Sequence, residues 1–276
     1  MHGFSSSFLI FFYQVALGGL FALATTPFQE FDRAFYKSTG SVLCIIALLG
    51  LWGKSSFYKY SLSTDFSFIV TAELLLHLFF ALCFILYVAS LWGERQSLRA
   101  RSFAGSILSG LAGLIFSAHS FYSASIVSLE AILYPVSFFL SALLLGSVTV
   151  GMLVGHWYLI DTGQSLDPFV KIFKFFVIAL IAQSIFAGLF PFAISLAGSA
   201  SSLAALDGLW RKHATLLMLR VTVGQVAPLV LSWMIWRTLL IPHTMAATGL
   251  FYIALLGVFV GEILGKQILA LSSLPF

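Results

Sequence analysis

Five ionisable residues lie inside long apolar segments of this sequence, where a charged side chain would be costly. They are Glu73, His77, His119, Arg220 and Glu262. Ionisable groups at membrane depth are rare and usually mark a site of binding or proton transfer. Together, the carboxyl, imidazole and guanidinium groups offer proton donors, proton acceptors and a fixed positive charge. Such a set could bind a polar headgroup and exchange protons with it.

The composition predicts that helices crossing a membrane position these residues. Of the 276 residues, 60% are hydrophobic and 9% are charged, whereas a typical soluble domain is about 25% charged. The apolar runs are continuous, which favours helices over a transmembrane β-barrel. The net charge of +4 comes from loop lysines and arginines and does not indicate a nucleic-acid partner. The sequence therefore predicts an all-α, polytopic transmembrane helical bundle in the lipid bilayer, forming one integral-membrane domain over residues 1–276.

Eight apolar runs approach the length of roughly 20 residues that a helix needs to span a bilayer. They cover residues 5–25, 40–53, 66–92, 102–123, 127–159, 168–195, 213–238 and 244–270. The first is expected to be a retained helix rather than a signal peptide, because no Lys or Arg precedes Phe8. The segment 196–212, between the sixth and seventh runs, predicts a short helix at the membrane surface.

The basic residues predict how the helices are oriented. Eight lysines and arginines fall at the membrane side opposite the N-terminus, and five fall at the side of the N-terminus. Because cytoplasmic loops carry the excess of basic residues, we expect both termini on the outer side of the cell's inner (cytoplasmic) membrane. The five on the N-terminal side are Lys54, Lys59, Arg211, Lys212 and Lys266.

The helix directions predict that the five ionisable residues share the outer half of the membrane. Glu73 and His77 are four residues apart and therefore lie on one helix face. His77 and His119 lie at nearly the same distance from the inner ends of their helices. Arg220 enters from the outer side, and Glu262 lies past the middle of the last helix. Each also has a structural explanation, since a membrane histidine often makes an interhelical hydrogen bond and Arg220 could simply pair with Glu262.

A quinone site is the first functional hypothesis for this set. Glu73 and His77 would exchange protons with the headgroup, and His119 would supply a second hydrogen bond. Arg220 would stabilise the reduced, anionic headgroup. Glu262 would be the counter-ion of Arg220 or the proton exit.

Two alternatives remain open. In a b-type haem electron carrier, His77 and His119 would be the axial ligands, and His156 and His243 could hold a second haem b near the inner face. For His156 and His243, an aromatic and histidine belt at the membrane interface is the favoured explanation. In a proton-coupled small-solute transporter the same charges would bind substrate, although the prolines do not recur at matching positions of two halves.

Three further polar residues could form a proton path through the bundle. They are Glu130, Gln183 and Gln225, on the fifth, sixth and seventh membrane helices.

The last helix carries a motif that resembles a known family. Gly261-Glu262-Ile263-Leu264-Gly265-Lys266 is similar to the Gly-Glu-x-x-Gly-Arg stretch of membrane anchors in DMSO-reductase and polysulfide-reductase type complexes. Lys266 stands where the family has Arg. The resemblance implies a subunit that exchanges electrons between membrane quinone (menaquinone or ubiquinone) and an iron–sulfur or cytochrome partner subunit. The expected function is therefore a quinone-reactive integral-membrane subunit of a respiratory oxidoreductase, with Glu262 the one residue carried over from the motif.

Overall fold

The computed structural model describes residues 4–26, 28, 30–64, 67–122, 128–161, 163–241 and 243–276. Within these residues the chain forms nine helices, and eight of them are long and apolar enough to cross a membrane. The chain is therefore a multi-pass transmembrane helical protein, and the predicted fold class is confirmed. The helices are α1 (Phe4–Ala24), α2 (Arg33–Thr64), α3 (Phe68–Ser90), α4 (Gln96–His119), α5 (Glu130–Ile160), α6 (Asp167–Ala197), α7 (Ala200–Lys212), α8 (Ala214–Leu240) and α9 (Thr244–Ser272).

The main difference from the prediction is the length of the second helix. Helix α2 covers Arg33–Thr64 rather than residues 40–53, because polar residues at both ends hide its true length in a search for apolar runs. This longer helix takes up Lys54, which the sequence prediction placed in a loop. The short α7 is found where a surface helix was predicted. Its N-cap is Ser199, whose hydroxyl accepts a hydrogen bond from the Ser202 N–H.

The eight membrane helices form two groups of four around a central pair. The central pair is α1 packed along α5. The first group consists of α1 with α2, α3 and α4. The second group consists of α5 with α6, α8 and α9. A Cβ at Gly18 would come within 1.6 Å of the Ala142 carbonyl oxygen, and one at Gly146 within 1.8 Å of the Gly18 carbonyl carbon. These two glycines therefore allow the backbones of α1 and α5 to touch, as small residues do in membrane helix pairs.

A second close approach joins α8 to α9. A Cβ at Gly261 of α9 would lie 2.2 Å from the Cα of Gly224 on α8. Gly224 lies in a π-helical turn, Thr222–Val226, inside α8. Pro228 lacks the N–H that would bond the Gly224 carbonyl oxygen, which helps to explain why regular helical bonding is interrupted here. π-Turns often occur at functional sites. This turn begins two residues after Arg220 and therefore indicates a candidate functional site there.

Eight crossings place the start of α1 and the end of α9 at the same end of the bundle, called the outer end below. Two of the basic residues assigned to that side, Lys54 and Lys266, are buried inside the bundle. Lys59, Arg211 and Lys212 remain there, so the excess of basic residues at the opposite end is larger than the sequence indicated. The outward orientation of the termini stays a prediction of the positive-inside rule.

Candidate functional site

The five ionisable residues singled out in the sequence do not meet in one site. Helix α3 packs against α2 and α4, and α4 also packs against α1 and α5, whereas α8 packs against α6 and α9. A single quinone site built from all five residues would require the third, fourth, seventh and eighth membrane helices to converge, and they do not. The physical reason is the tight α1–α5 pair, which stands between the two groups. Glu73 and His77 belong to one cluster, Arg220 and Glu262 to another, and His119 to neither.

The first cluster, Lys54, Glu73, His77 and Ser117, joins the helices of the first group. Glu73 pairs with Lys54 of α2 at 2.5 Å and accepts a hydrogen bond from the Ser117 hydroxyl of α4 at 2.6 Å. Nδ1 of His77 lies 2.8 Å from the main-chain oxygen of Glu73. The His77 ring packs on Tyr13 of α1, with 4.1 Å between ring centroids. Each buried polar group thus has a partner on a neighbouring turn or helix, as a structural cluster requires.

The histidines of the first group do not fit an axial pair for haem. His77 is enclosed by α1 and α4, because a Cβ at Gly113 would lie 3.6 Å from its Nδ1 and 2.5 Å from the Tyr13 hydroxyl. His119, at the outer end of α4, packs instead on Tyr122 with a centroid separation of 4.9 Å. The two rings therefore pack on different tyrosines, Tyr13 and Tyr122, an arrangement that does not suit the two axial ligands of one haem.

The two remaining histidines proposed as haem ligands are exposed near the inner end. His156 of α5 has its Nδ1 3.2 Å from the Tyr252 hydroxyl of α9. His243 caps the start of α9. In the parts of the chain that the structure describes, no three His, Cys, Asp or Glu side chains come together as metal ligands. Both positions suit residues at a membrane interface.

The second cluster, Ser141, Gln183, Arg220, Glu262 and Lys266, is centred on the Glu262 carboxylate. Arg220 Nη2 of α8 and Gln183 Nε2 of α6 each donate to Glu262 Oε1 at 2.6 Å. The Ser141 hydroxyl of α5 donates to Oε2. The ammonium of Lys266, one helical turn after Glu262, lies 3.8 Å from Oε2. With donors from three other helices, Glu262 fits the predicted role of counter-ion to Arg220.

Burial and close backbone packing explain why this ion pair is ordered. Arg220 is 3% exposed and Glu262 is 1% exposed. Charges this deeply buried persist only when they are paired and hydrogen-bonded. A Cβ at Gly224 would lie 2.4 Å from Arg220 Nη1, so a glycine at this position leaves the space that the guanidinium occupies.

An apolar cleft, called the Arg220 cleft below, opens beside this pair between α6, α7 and α8. Its volume is about 590 Å³. Two buried donors of residues that line it, Arg220 Nη1 and Gln225 Nε2, have no hydrogen-bond partner among the described residues. The Ser184 hydroxyl donates to Gln225 Oε1 at 2.5 Å and fixes the amide orientation. The apolar walls of the cleft include Ala187, Pro191, Leu217, Met218, Leu229 and Phe276.

The three residues predicted as a proton path have separate places in the structure. Gln183 belongs to the second cluster and Gln225 to the Arg220 cleft. Glu130, at the outer end of α5, accepts hydrogen bonds from the Ser199 N–H at 2.7 Å and the Ser202 hydroxyl at 3.0 Å. A carboxylate at the N-terminus of α7 stabilises that helix through its dipole. Glu130 therefore anchors α7 to the bundle.

Four residues of these clusters are not among the predicted site residues: the serines Ser117 and Ser141 and the two charged residues Lys54 and Lys266. Lys54 was assigned to a loop because the predicted second helix ended at residue 53. Lys266 was counted as an outer-side cation, although it follows Glu262 by four residues. Residues four apart lie on one helix face, as Glu73 and His77 do, and this spacing also predicts that Lys266 lies beside Glu262.

No protein-family model, curated protein or solved structure matches this chain. The class that fold and site define is a multi-pass helical membrane protein with an apolar lateral cleft beside a buried ion pair. The resemblance of residues 261–266 to oxidoreductase anchors stays a prediction.

Proposed function

We propose that the chain is a quinone-reactive membrane subunit of a respiratory oxidoreductase and that the quinone binds in the Arg220 cleft. The observation that carries the proposal is an apolar cleft lined by Arg220 and Gln225, each of which has a buried donor without an acceptor among the described residues, Nη1 and Nε2 respectively. The headgroup oxygens of a quinone accept hydrogen bonds, and its hydrocarbon tail needs apolar walls. Ligand sites typically combine apolar walls with a few placed polar groups, in volumes of about 300–1,000 Å³.

The position of the cleft suits a ligand that arrives through lipid. Ile185 and Leu189 of α6, and Met218 and Val226 of α8, expose apolar side chains on the outside of the bundle. Arg220 lies in the second turn of α8, which at ~1.5 Å per residue puts it about 10 Å from the outer end of that helix. A headgroup can therefore enter sideways and reach Arg220 in the outer half of the membrane.

The residues at the cleft can support proton-coupled electron transfer. Reduction of a quinone takes up two electrons and two protons, and oxidation of the quinol releases them. The electrons pass to or from an iron–sulfur or cytochrome partner subunit. The Arg220 guanidinium stabilises negative charge on a headgroup oxygen, because a fixed charge in a dry site needs no reorganisation. Glu262 holds that guanidinium in place.

This assignment changes the predicted roles of three residues. Glu73 and His77 do not line the Arg220 cleft, and His119 packs on Tyr122 near the outer surface. We therefore assign the first cluster to helix packing. Arg220, Gln225 and Glu262 take the roles at the headgroup.

A proton-coupled transporter is the second candidate, because each helix group contains its own buried ion pair, Lys54–Glu73 and Arg220–Glu262. Transporter sites commonly lie between two repeats near the membrane midplane. Here the groups meet at α1 and α5, where Gly18 and Gly146 bring the backbones into contact. Because that interface leaves little space for a substrate, the lateral Arg220 cleft favours the quinone site.

Binding of a quinol analogue tests the proposed function. The purified chain in lipid nanodiscs is titrated with 2-heptyl-4-hydroxyquinoline N-oxide, whose fluorescence is quenched in a protein site. We expect saturable binding that Arg220→Met and Gln225→Leu each weaken by about tenfold or more, since each removes a buried donor. His77→Ala is the matched control from the first cluster and should bind normally. Binding that depends on His77 and not on Gln225 would move the site to the first cluster, and no saturable binding would reject the proposal.

A further inference from the structure

A small internal cavity lies behind Glu262, between α5, α6 and α9. Its volume is about 10 Å³, close to the roughly 10–15 Å³ that one water molecule requires. We call it the Lys266 cavity. Its polar lining consists of Ser137, Ser141, Gln183, Glu262 and Lys266.

Two polar groups at the Lys266 cavity are suited to hold a water. Gln183 donates through Nε2 to Glu262, but its Oε1 is buried without a hydrogen bond in the described part of the chain. The Lys266 ammonium is 3.8 Å from Glu262, beyond hydrogen-bond length, and lies over the Phe138 ring at 5.2 Å. A water between them would accept from Lys266 and donate to Gln183, which meets the minimum of two polar partners.

A polar face of α5 leads from the Lys266 cavity to the outer end. Glu130, Tyr134, Ser137 and Ser141 follow one another at intervals of four, three and four residues, the spacing of one helix face. All four are buried. The hydroxyls of Tyr134 and Ser137 donate to main-chain oxygens of the segment 273–276 at 2.8 and 2.9 Å. This segment folds back over the polar face, so the face is covered by polar backbone rather than by lipid.

Helix packing alone explains this polar face less well. A buried serine commonly bonds the main chain of its own helix, as Ser147 of α5 does with the Leu144 oxygen at 3.0 Å. Ser137 and Ser141 instead bond to other elements, the segment 273–276 and α9. Beyond Ser141 the same face continues with apolar residues, so its polar character ends at the depth of the second cluster.

We propose that the Lys266 cavity holds one water molecule and that this water, with Lys266, Ser137 and Tyr134, carries protons between the Arg220 cleft and the outer face. The proposal rests on the proposed function, since quinol oxidation in the cleft supplies the protons. Glu262 is the link, because it contacts both Arg220 and Lys266. A proton passed to the carboxylate leaves through the water, which restores the negative charge of Glu262. No electron moves in these steps.

The test compares two lysines in one sample. Lys54 and Lys266 are 6% and 5% exposed and each lies beside a glutamate, but only Lys266 lines the cavity. The chain, labelled with 15N at lysine Nζ in nanodiscs, is studied by NMR, with Lys54→Met and Lys266→Met used for assignment. We expect the ammonium protons of Lys266 to exchange with water at least about tenfold faster than those of Lys54. Equal exchange rates would overturn the water site.

Two near-isosteric variants test the route. We expect Ser137→Ala and Tyr134→Phe to slow exchange at Lys266 and to leave exchange at Lys54 unchanged, which also shows that the fold is intact. Ser147→Ala, a buried serine of α5 off the polar face, is the control and should change neither rate. Unchanged exchange at Lys266 in both route variants would overturn the proton route.

The same samples separate this inference from the proposed function. The quinol analogue should bind the two route variants as tightly as the wild type. If the wild type exchanges fast at Lys266 but binds no analogue, the proposed function fails and the water site stands. If it binds the analogue but exchanges slowly at Lys266, the inference fails alone.

Discussion

Arg220 and Glu262 form a buried ion pair of 2.6 Å between α8 and α9. The pair lies between two spaces of different character, the apolar Arg220 cleft and the small polar Lys266 cavity. Its position is set by the contact of Gly224 with Gly261. The close packing of α8 on α9 therefore positions the two charged groups to which we assign headgroup binding and proton transfer.

Breaking this pair should destabilise the protein strongly. Arg220→Met and Glu262→Gln should each lower the free energy of unfolding by about 3–5 kcal/mol, because each leaves a buried charge without its partner. The double variant should lose clearly less than the sum of the two. Thermal unfolding in detergent measures all three. Additive losses would show that the two residues do not act as a pair.

The separation of the two clusters has its own test. Glu73→Gln and Glu262→Gln should have effects on unfolding that add to within about 0.5 kcal/mol, as for sites without shared partners. Glu73→Gln and Lys54→Met, which alter one ion pair, should be non-additive. A large coupling between Glu73 and Glu262 would contradict the arrangement of the helices.

The contact between α1 and α5 should not tolerate a side chain. Gly146→Ala places a Cβ 1.8 Å from the Gly18 carbonyl carbon, and overpacking of this kind costs about 1–3 kcal/mol or more. Gly249→Ala in α9 is the matched control, since a Cβ there meets nothing within 4 Å. We expect a lower unfolding temperature and a lower yield of folded protein for Gly146→Ala only. Equal behaviour of the two variants would show that the central helices are not in close contact.

The orientation of the bundle can be measured with single cysteines. The native Cys44 and Cys83 are buried and are replaced by alanine. Ser201→Cys on α7 and Gly163→Cys before α6 are exposed at opposite ends of the bundle. By the positive-inside rule a membrane-impermeant thiol reagent should label Ser201→Cys in intact spheroplasts and Gly163→Cys only after permeabilisation. The reverse pattern would invert the topology.

The helical membrane character of the chain and its eight spans can be predicted from the sequence alone. Local composition is sufficient for this, because a bilayer requires each spanning segment to satisfy its own backbone hydrogen bonds and to present apolar side chains. Polar residues interrupt the apolar run at both ends of α2, so the helix predicted from composition is shorter than the real one and Lys54 falls outside it. Glu73, His77, Arg220 and Glu262 can be recognised in the sequence as costly buried groups, but only as members of separate helices.

Which of these groups meet depends on how the helices pack in three dimensions. Depth along a helix fixes one coordinate of a residue, and residues of equal depth on different helices can still lie on opposite sides of a bundle. Here Gly18 and Gly146 allow α1 and α5 to pack closely, and this central pair divides the five residues into two clusters. The walls of the Arg220 cleft likewise come from different helices, α6, α7 and α8, and from Phe276 at the far end of the sequence, so no local pattern could have predicted them. Helix formation is a local property, whereas the partners of a buried charge are set by how whole helices pack.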